Sequence, residues 1–487
     1  MGIHNRRGGA GADDRARHTF TRVDLAEEEG PELKRVVRIS VIEGVFAQVH
    51  ASLAGLGSAF LTRFAVMLEA TPLQFGIFSA IGQFSQLFQL LGVAVTWRKP
   101  SRKGTVVGLA AIGRAISGAF GLLPLLLPRE QAVWAFLFLY FLATSAAAAS
   151  ANGWIAWISD AVPLYRRGRF FALRSRYLLL AGLLVGYLAG AWLDLYDPRP
   201  GEIAKVLGRW FGRPDASGLP FAFLRLFLLA TVSGLVGVLI LRKQPERPKE
   251  PAGERFWPAL ARPLRDTNFR RLLVYGVWWM LAVGIGGPFW TPFMLKKLGM
   301  SMVEVQLYGT MSTLASIVAL RPWGILIDRY GNRTAMRLAI VLGGLNPLLW
   351  VFLTRENHAW VYLEALSSGV MWSGAGIVGT NFVLAIAPKG KEQLYSGLYG
   401  ALTGLAIMAT LFLSGALLPP PLRLLGRTLE PEQVLFGLGA LARWTTELPL
   451  SWVQEARARP VGELLQEGGH WLASALRRAF RSHSAPV

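Results

Sequence analysis

The chain has 487 residues, of which 53% are hydrophobic and 17% charged, with a mean hydropathy of +0.38 and a net charge of +21. A soluble domain carries roughly 25% charged residues, so this composition excludes the soluble globular class and points to an integral membrane protein. The absence of cysteine excludes disulfides and thiolate metal sites, the six histidines are scattered, and no Gly-x-x-x-x-Gly-Lys-Ser/Thr loop is present to cradle a nucleotide. No cofactor and no resident metal are expected.

In chain order, residues 1–35 are polar and mixed in charge, without the short apolar core of a signal peptide; they read as a cytoplasmic N-terminal tail. Twelve apolar segments follow, each close to the length of about 20 residues that crosses a bilayer as a helix. The first six lie at 39–65, 73–96, 104–127, 132–157, 171–194 and 220–241; the second six lie at 271–295, 303–327, 336–354, 359–386, 395–418 and 432–453. The twelfth is the weakest, because Arg443 and Glu447 sit inside it. Strand-like alternation is absent, and lipid tolerates no unpaired backbone, so these spans are helices. The expected fold class is an all-α integral membrane protein with twelve transmembrane helices in two six-helix bundles. The first bundle covers 36–242, a cytoplasmic linker rich in proline and charge covers 243–270, and the second bundle covers 271–453. Residues 454–487 form a C-terminal tail, with Leu464, Leu465, Leu472, Leu476 and Phe480 at the spacing of an amphipathic helix on the inner leaflet.

Loops after the even-numbered spans carry roughly twice as many lysines and arginines as those after the odd ones. Basic loops stay in the cytoplasm, so both termini are expected there, in a multi-pass protein of the cell (inner) membrane. The same rule accounts for the net charge without any nucleic-acid partner.

The two halves resemble each other. "GSAFLTRF" (57–64) and "GGPFWTPF" (286–293) share Gly, Phe, Thr and Phe at one constant offset, near the ends of spans 1 and 7. "GVAVTWRKPSRK" (92–103) and "GILIDRYGNRTA" (324–335) occupy matching places after spans 2 and 8. A duplicated six-span unit places a solute site at the interface of the halves, near mid-membrane.

The second of these stretches resembles the cytoplasmic signature of the major facilitator superfamily through Gly324, Asp328, Arg329, Gly331 and Arg333. "WISDAVPLYRRGRFFALR" (157–174) also looks like the loop after span 4 in bacterial members. The resemblance covers 36–453 and implies a secondary transporter. It further implies a cytoplasmic latch in which Asp328 faces the start of span 5, beside Asp160, Arg166, Arg167 and Arg169. A carboxylate at a helix N-terminus is stabilised by roughly 0.3–1 kcal/mol. The first half departs from the pattern: Thr96-Trp97 stands where Asp-Arg is expected, so only the second latch is intact. Exporters of the superfamily have a glycine-rich span 5. Gly182, Gly186 and Gly190 fit that loosely, although the accompanying proline is missing and close helix packing explains them as well.

Polar side chains within spans mark a pathway or bond helix to helix. The set comprises Glu43 and His50 in span 1, Gln86 in span 2, Arg114 in span 3, Asn152 in span 4, Trp279 in span 7, and Glu364 and Asn381 in span 10. Arg114 lies too deep to snorkel and calls for an acid, a ligand or water. A carboxylate that couples transport to protons would be Glu43 or Glu364. The expected function is secondary active transport of a small solute by a monomer surrounded by lipid, with proton-coupled efflux as one mode. The alternative is a non-transporting or lipid- and pigment-handling assembly factor on the same fold. No nucleophile–base pair or paired catalytic carboxylates suggest an enzyme.

Overall fold

In the computed structural model, residues 31–246 and 262–455 are described, except 98, 164–165, 199–200, 389–390 and 425. Most of the expected N-terminal tail, the centre of the linker and nearly all of the C-terminal tail with its amphipathic segment lie outside the described residues. Span 1 begins at Pro31, within the stretch expected to be tail.

Among the described residues, eleven helices are long and apolar enough to cross a membrane. Spans 1–6 occupy Pro31–Met67, Pro72–Thr96, Lys103–Leu126, Arg129–Ala161, Arg167–Asp194 and Ala216–Leu241. Spans 7–11 occupy Thr267–Lys296, Met302–Tyr330, Asn332–Val351, His358–Ile386 and Leu394–Ala416. The weak twelfth is a helix over Pro431–Thr445 that turns and continues as Glu447–Trp452. Local chemistry sets several starts. Thr71 with Gln74 opens span 2, and Ser301 with Glu304 opens span 8; both are capping boxes that satisfy orphan N–H groups reciprocally.

The first sequence repeat has a structural cause. Spans 1 and 7 both break, at Gly57 with φ +79° and at Gly286 with φ +73°. An L side chain is strained there, so glycine is required at both places. Beyond each break the repeated phenylalanines, Phe60 and Phe64 in one half and Phe289 and Phe293 in the other, are buried. Phe64 meets Phe136, Phe223 and Phe227 edge to face at 5.1–5.2 Å, and Phe293 packs on Trp350 and Phe436. Each half thus has an aromatic plug at the end that carries the odd-numbered loops. Such edge-to-face pairs contribute about 0.5–1.5 kcal/mol beyond area burial.

The halves touch at that same odd-loop end. Span 2 crosses span 11 at Gly76 and Gly415, where a Cβ on Gly76 would stand 2.8 Å from the Gly415 Cα. Only glycine permits backbones this close in a setting where lipid tails give no hydrophobic drive to association. Span 5 crosses span 8 along its glycine series: a Cβ on Gly186 would stand 2.7 Å from Gln306, and one on Gly190 3.4 Å from Val303. Tyr187 donates to Thr310 at 3.0 Å in the same crossing. Close packing, the plainer of the two readings of these glycines, is the role they have here.

A second repeated device sits at the even-loop end. Glu246, just after span 6, accepts from the backbone N–H of Arg102 at 2.6 Å and Lys103 at 3.1 Å, and from Ser101 Oγ at 2.7 Å. Glu455, just after span 12, accepts from the N–H groups of Asn332 at 2.9 Å and Arg333 at 2.8 Å, and from Asn332 Nδ2 at 2.9 Å. Each carboxylate caps the third helix of its own half, where the macrodipole favours negative charge. Glu246→Ala and Glu455→Ala are expected to destabilise by about 1–2 kcal/mol each, as the loss of a helix cap does. Thermal unfolding in detergent tests this; a chain unchanged by either substitution would show the caps to be decorative.

Candidate functional site

Where spans 1 and 7 break, the halves enclose a cavity of about 480 Å³ under their odd-loop contact. The repeated threonines, Thr62 and Thr291, both line it, so every position of the first repeat serves as turn, plug or cavity wall. Aromatic walls come from Phe78, Tyr140, Trp290 and Trp372. Two charged side chains reach it, Glu364 from span 10 and Arg443 from span 12.

Glu364 is 3% exposed and accepts from the Tyr308 hydroxyl at 2.9 Å. Arg443, 4% exposed, spends its fork on the backbone, donating from Nη1 to the Gly343 carbonyl at 2.9 Å. Span 12 carries this cation because a counter-charge and carbonyl acceptors are in reach, which is what a buried arginine requires. Asn346 also lines the cavity and accepts from Ser367 at 2.6 Å. A mostly apolar, aromatic pocket with a few convergent polar groups is the usual form of a small-molecule site.

The expected pathway residues fall into three groups. Glu364 lines the cavity. Glu43, His50 and Arg114 come together elsewhere, inside the first half. Glu43 is 2% exposed, and its two oxygens pair with Arg114 at 3.5 Å and Arg174 at 3.4 Å. Arg114 also donates to the Gly234 carbonyl at 2.7 Å, and His50 bonds Ser117 at 3.0 Å. The acid that Arg114 calls for is therefore Glu43, and the cluster binds spans 1, 3, 5 and 6 together. The remaining four do not line the cavity. Gln86 accepts from Gln89, Trp279 is buried against Gly343, and Asn152 and Asn381 make no hydrogen bond to a described residue.

The expected latch residues stand at the even-loop end. Asp328 and Arg169 are exposed, and Asp328 makes no hydrogen bond or ion pair among the described residues. Asp160 pairs instead with Arg102 at 2.6 Å, and Arg167 donates to the Val162 carbonyl at 3.1 Å. Gly331, at φ +87°, makes the turn from span 8 to span 9. Thr96, where the first copy lacks its acid, is buried and donates back to the Gly92 carbonyl at 2.9 Å.

At the opposite end is a contact that the sequence does not announce. Asp194, 3% exposed at the end of span 5, accepts from the N–H groups of Met302 at 2.7 Å and Val303 at 3.0 Å. These are the first orphan donors of span 8, so a carboxylate of one half caps a helix of the other. Nearby, Arg63 pairs with Asp197 at 2.9 Å. In sequence, Asp194 sits at a helix end among loop charges and carries no distinguishing signal.

Two six-helix halves around a shared cavity, closed by packing at one end, define a multi-pass helical membrane protein. Residues 272–421, less than a third of the chain, match the family model described as Major Facilitator Superfamily. No curated protein matches the chain. Among solved structures it is similar to a nucleoside transporter, at 12% identity and a TM-score of 0.64, over 87% of this chain and 100% of the other. It is also similar to a bacterial metal transporter, at 15% identity and a TM-score of 0.57, over 88% of this chain and 99% of the other. A D-xylose–proton symporter matches at 14% identity and a TM-score of 0.57, over 88% and 99%. At such identities the likeness is one of fold.

Proposed function

We propose that the chain moves a small solute across the membrane by alternating access, with the cavity at the broken spans as the solute site. One observation carries the reading: the cavity is walled by both halves and lies directly beneath their contact, so that rocking the halves would change which side it opens to. The odd-loop face is then the outside, and the present state is closed to it. Glu364 is the carboxylate best placed to couple the cycle to protons, since it alone of the two buried candidates reaches the cavity. The proteins similar in fold are a nucleoside transporter, a metal transporter and a D-xylose–proton symporter, and their variety favours no one solute here.

Uptake and efflux of a solute panel in proteoliposomes, with and without an imposed pH gradient, tests the reading. Flux that rises with the gradient supports proton coupling. No flux of any solute, by protein that remains folded, overturns transport in favour of an assembly role.

The free state of Asp328 fits this cycle, because its latch would engage only when the even-loop end closes. Asp328→Asn is expected to weaken that closed state by about 0.3–1 kcal/mol, a few-fold in population, while Thr96→Val changes it little. Equal changes in cysteine accessibility at the two sites would remove the asymmetry.

A further inference from the structure

The loop between spans 5 and 6 contains a ten-residue helix, Glu202–Phe211, whose apolar arc is wider than the protein covers. Ala204 is buried and Leu207 packs against the aromatic core, which accounts for one side of that arc. Ile203, Val206 and Trp210 recur at i, i+3 and i+7, so they share one edge, within about 60° of each other at 3.6 residues per turn. They are 51%, 50% and 83% exposed. Glu202, Lys205 and Arg209 fall on the next face, away from the core. Buried, then apolar and uncovered, then charged is the order around a helix that lies between a protein, a hydrocarbon edge and water.

The position of the helix says what covers it. It follows directly from the membrane end of span 5 and precedes the start of span 6. On span 5 the exposed stripe Leu180, Leu184, Leu188 and Trp192 lies opposite the glycines that face the second half, so that stripe faces lipid. The uncovered edge of the short helix continues an apolar surface already turned toward the bilayer. Tryptophan is enriched at that depth, where one side of the ring is apolar and the other wet.

We propose that Glu202–Phe211 lies in the lipid interface of the odd-loop leaflet, with Ile203, Val206 and Trp210 as its lipid-facing edge. The occupant is the bilayer itself. The helix is also tied to the closed end of the transporter. A Cβ on Gly201 would stand 2.9 Å from Oγ of Ser301, the cap of span 8, and Arg213 donates to the Asp197 carbonyl at 2.7 Å. The lipid surface therefore holds the same segment that carries Asp194 and Asp197.

The chain has no cysteine, so single-site labelling is direct. Ile203→Cys, Lys205→Cys, Val206→Cys, Arg209→Cys and Trp210→Cys are each spin-labelled in phosphatidylcholine–phosphatidylglycerol liposomes. Collision rates with oxygen and with a water-soluble nickel chelate are then compared. Labels at 203, 206 and 210 should favour oxygen, and those at 205 and 209 nickel, at least several-fold each way. Nickel access at all five would overturn the proposal. So would spin broadening at 210 that disappears on dilution with unlabelled protein, since a second copy would then be the occupant.

Discussion

Asp194→Asn is expected to open the odd-loop end, and by a large factor for one atom exchanged. The carboxylate holds two backbone donors of the other half, at 2.7 and 3.0 Å, from a site that is 3% exposed. The amide keeps one acceptor oxygen, loses the charge, and leaves one buried N–H facing an N–H₂. A hydrogen bond to a charged group contributes about 1.5–3 kcal/mol, and an orphaned buried donor costs a similar amount. Losing about 1.5–3 kcal/mol from the closed state alone moves the closed-to-open ratio by about ten- to a hundred-fold. The readout is the labelling rate of Ser79→Cys, in the cavity wall, by an impermeant maleimide added at the odd-loop face. A rise of about ten-fold or more is expected. An unchanged rate, in protein that still folds, would mean that the glycine crossings at Gly76–Gly415 and Gly186–Gln306 hold the closure by themselves. Combining the change with Asp328→Asn, at the far end of span 8, should return part of the balance, because the two carboxylates favour opposite closures and are too distant to share partners.

Much of this architecture was legible in the sequence, because a bilayer leaves few choices. Twenty apolar residues must be a helix, and two matched sets of six must form related halves. The first repeat was legible as a pattern, though its reason was not. That Gly57 and Gly286 adopt φ near +75°, that the phenylalanines plug and the threonines line the cavity, are facts of three-dimensional place. The polar residues were legible as a set and not as an arrangement. Arg114 announced that it needed an acid, but the choice of Glu43 depends on how spans 1, 3 and 5 rotate against one another. Arg443 counted against span 12 when read alone; beside Glu364 it becomes part of a wall. Glu246, Glu455 and Asp194 were illegible for a common reason. Each acts on backbone N–H groups of a helix distant in sequence, and backbone groups leave no mark in composition or spacing.

The two buried glutamates, equivalent as coupling candidates in sequence, should separate sharply on mutation. Glu43 is enclosed by two arginines and lies away from the cavity, so its charge holds the first half together. Glu43→Gln leaves Arg114 and Arg174 facing each other without an anion. Removing one partner of a buried ion pair costs about 3–5 kcal/mol, a large part of the stability of a typical protein. The expected result is a marked fall in Tm and in the folded fraction recovered in detergent, with flux per folded molecule retained. Glu364→Gln keeps the volume, and its amide oxygen can still accept from Tyr308, while Arg443 keeps its carbonyl acceptors. Its cost to folding should be the smaller of the two. Its cost to function should be greater: in the proposed cycle a titrating carboxylate on the cavity wall cannot be replaced by a group that binds no proton. Gradient-driven flux is therefore expected to fall about a hundred-fold or more, with solute exchange at zero gradient less affected. Wild-type gradient dependence in Glu364→Gln would eliminate this residue as the coupling group. A Tm for Glu43→Gln no lower than that of Glu364→Gln would show that the arginine cluster is hydrated in the membrane and not the buried brace its distances describe.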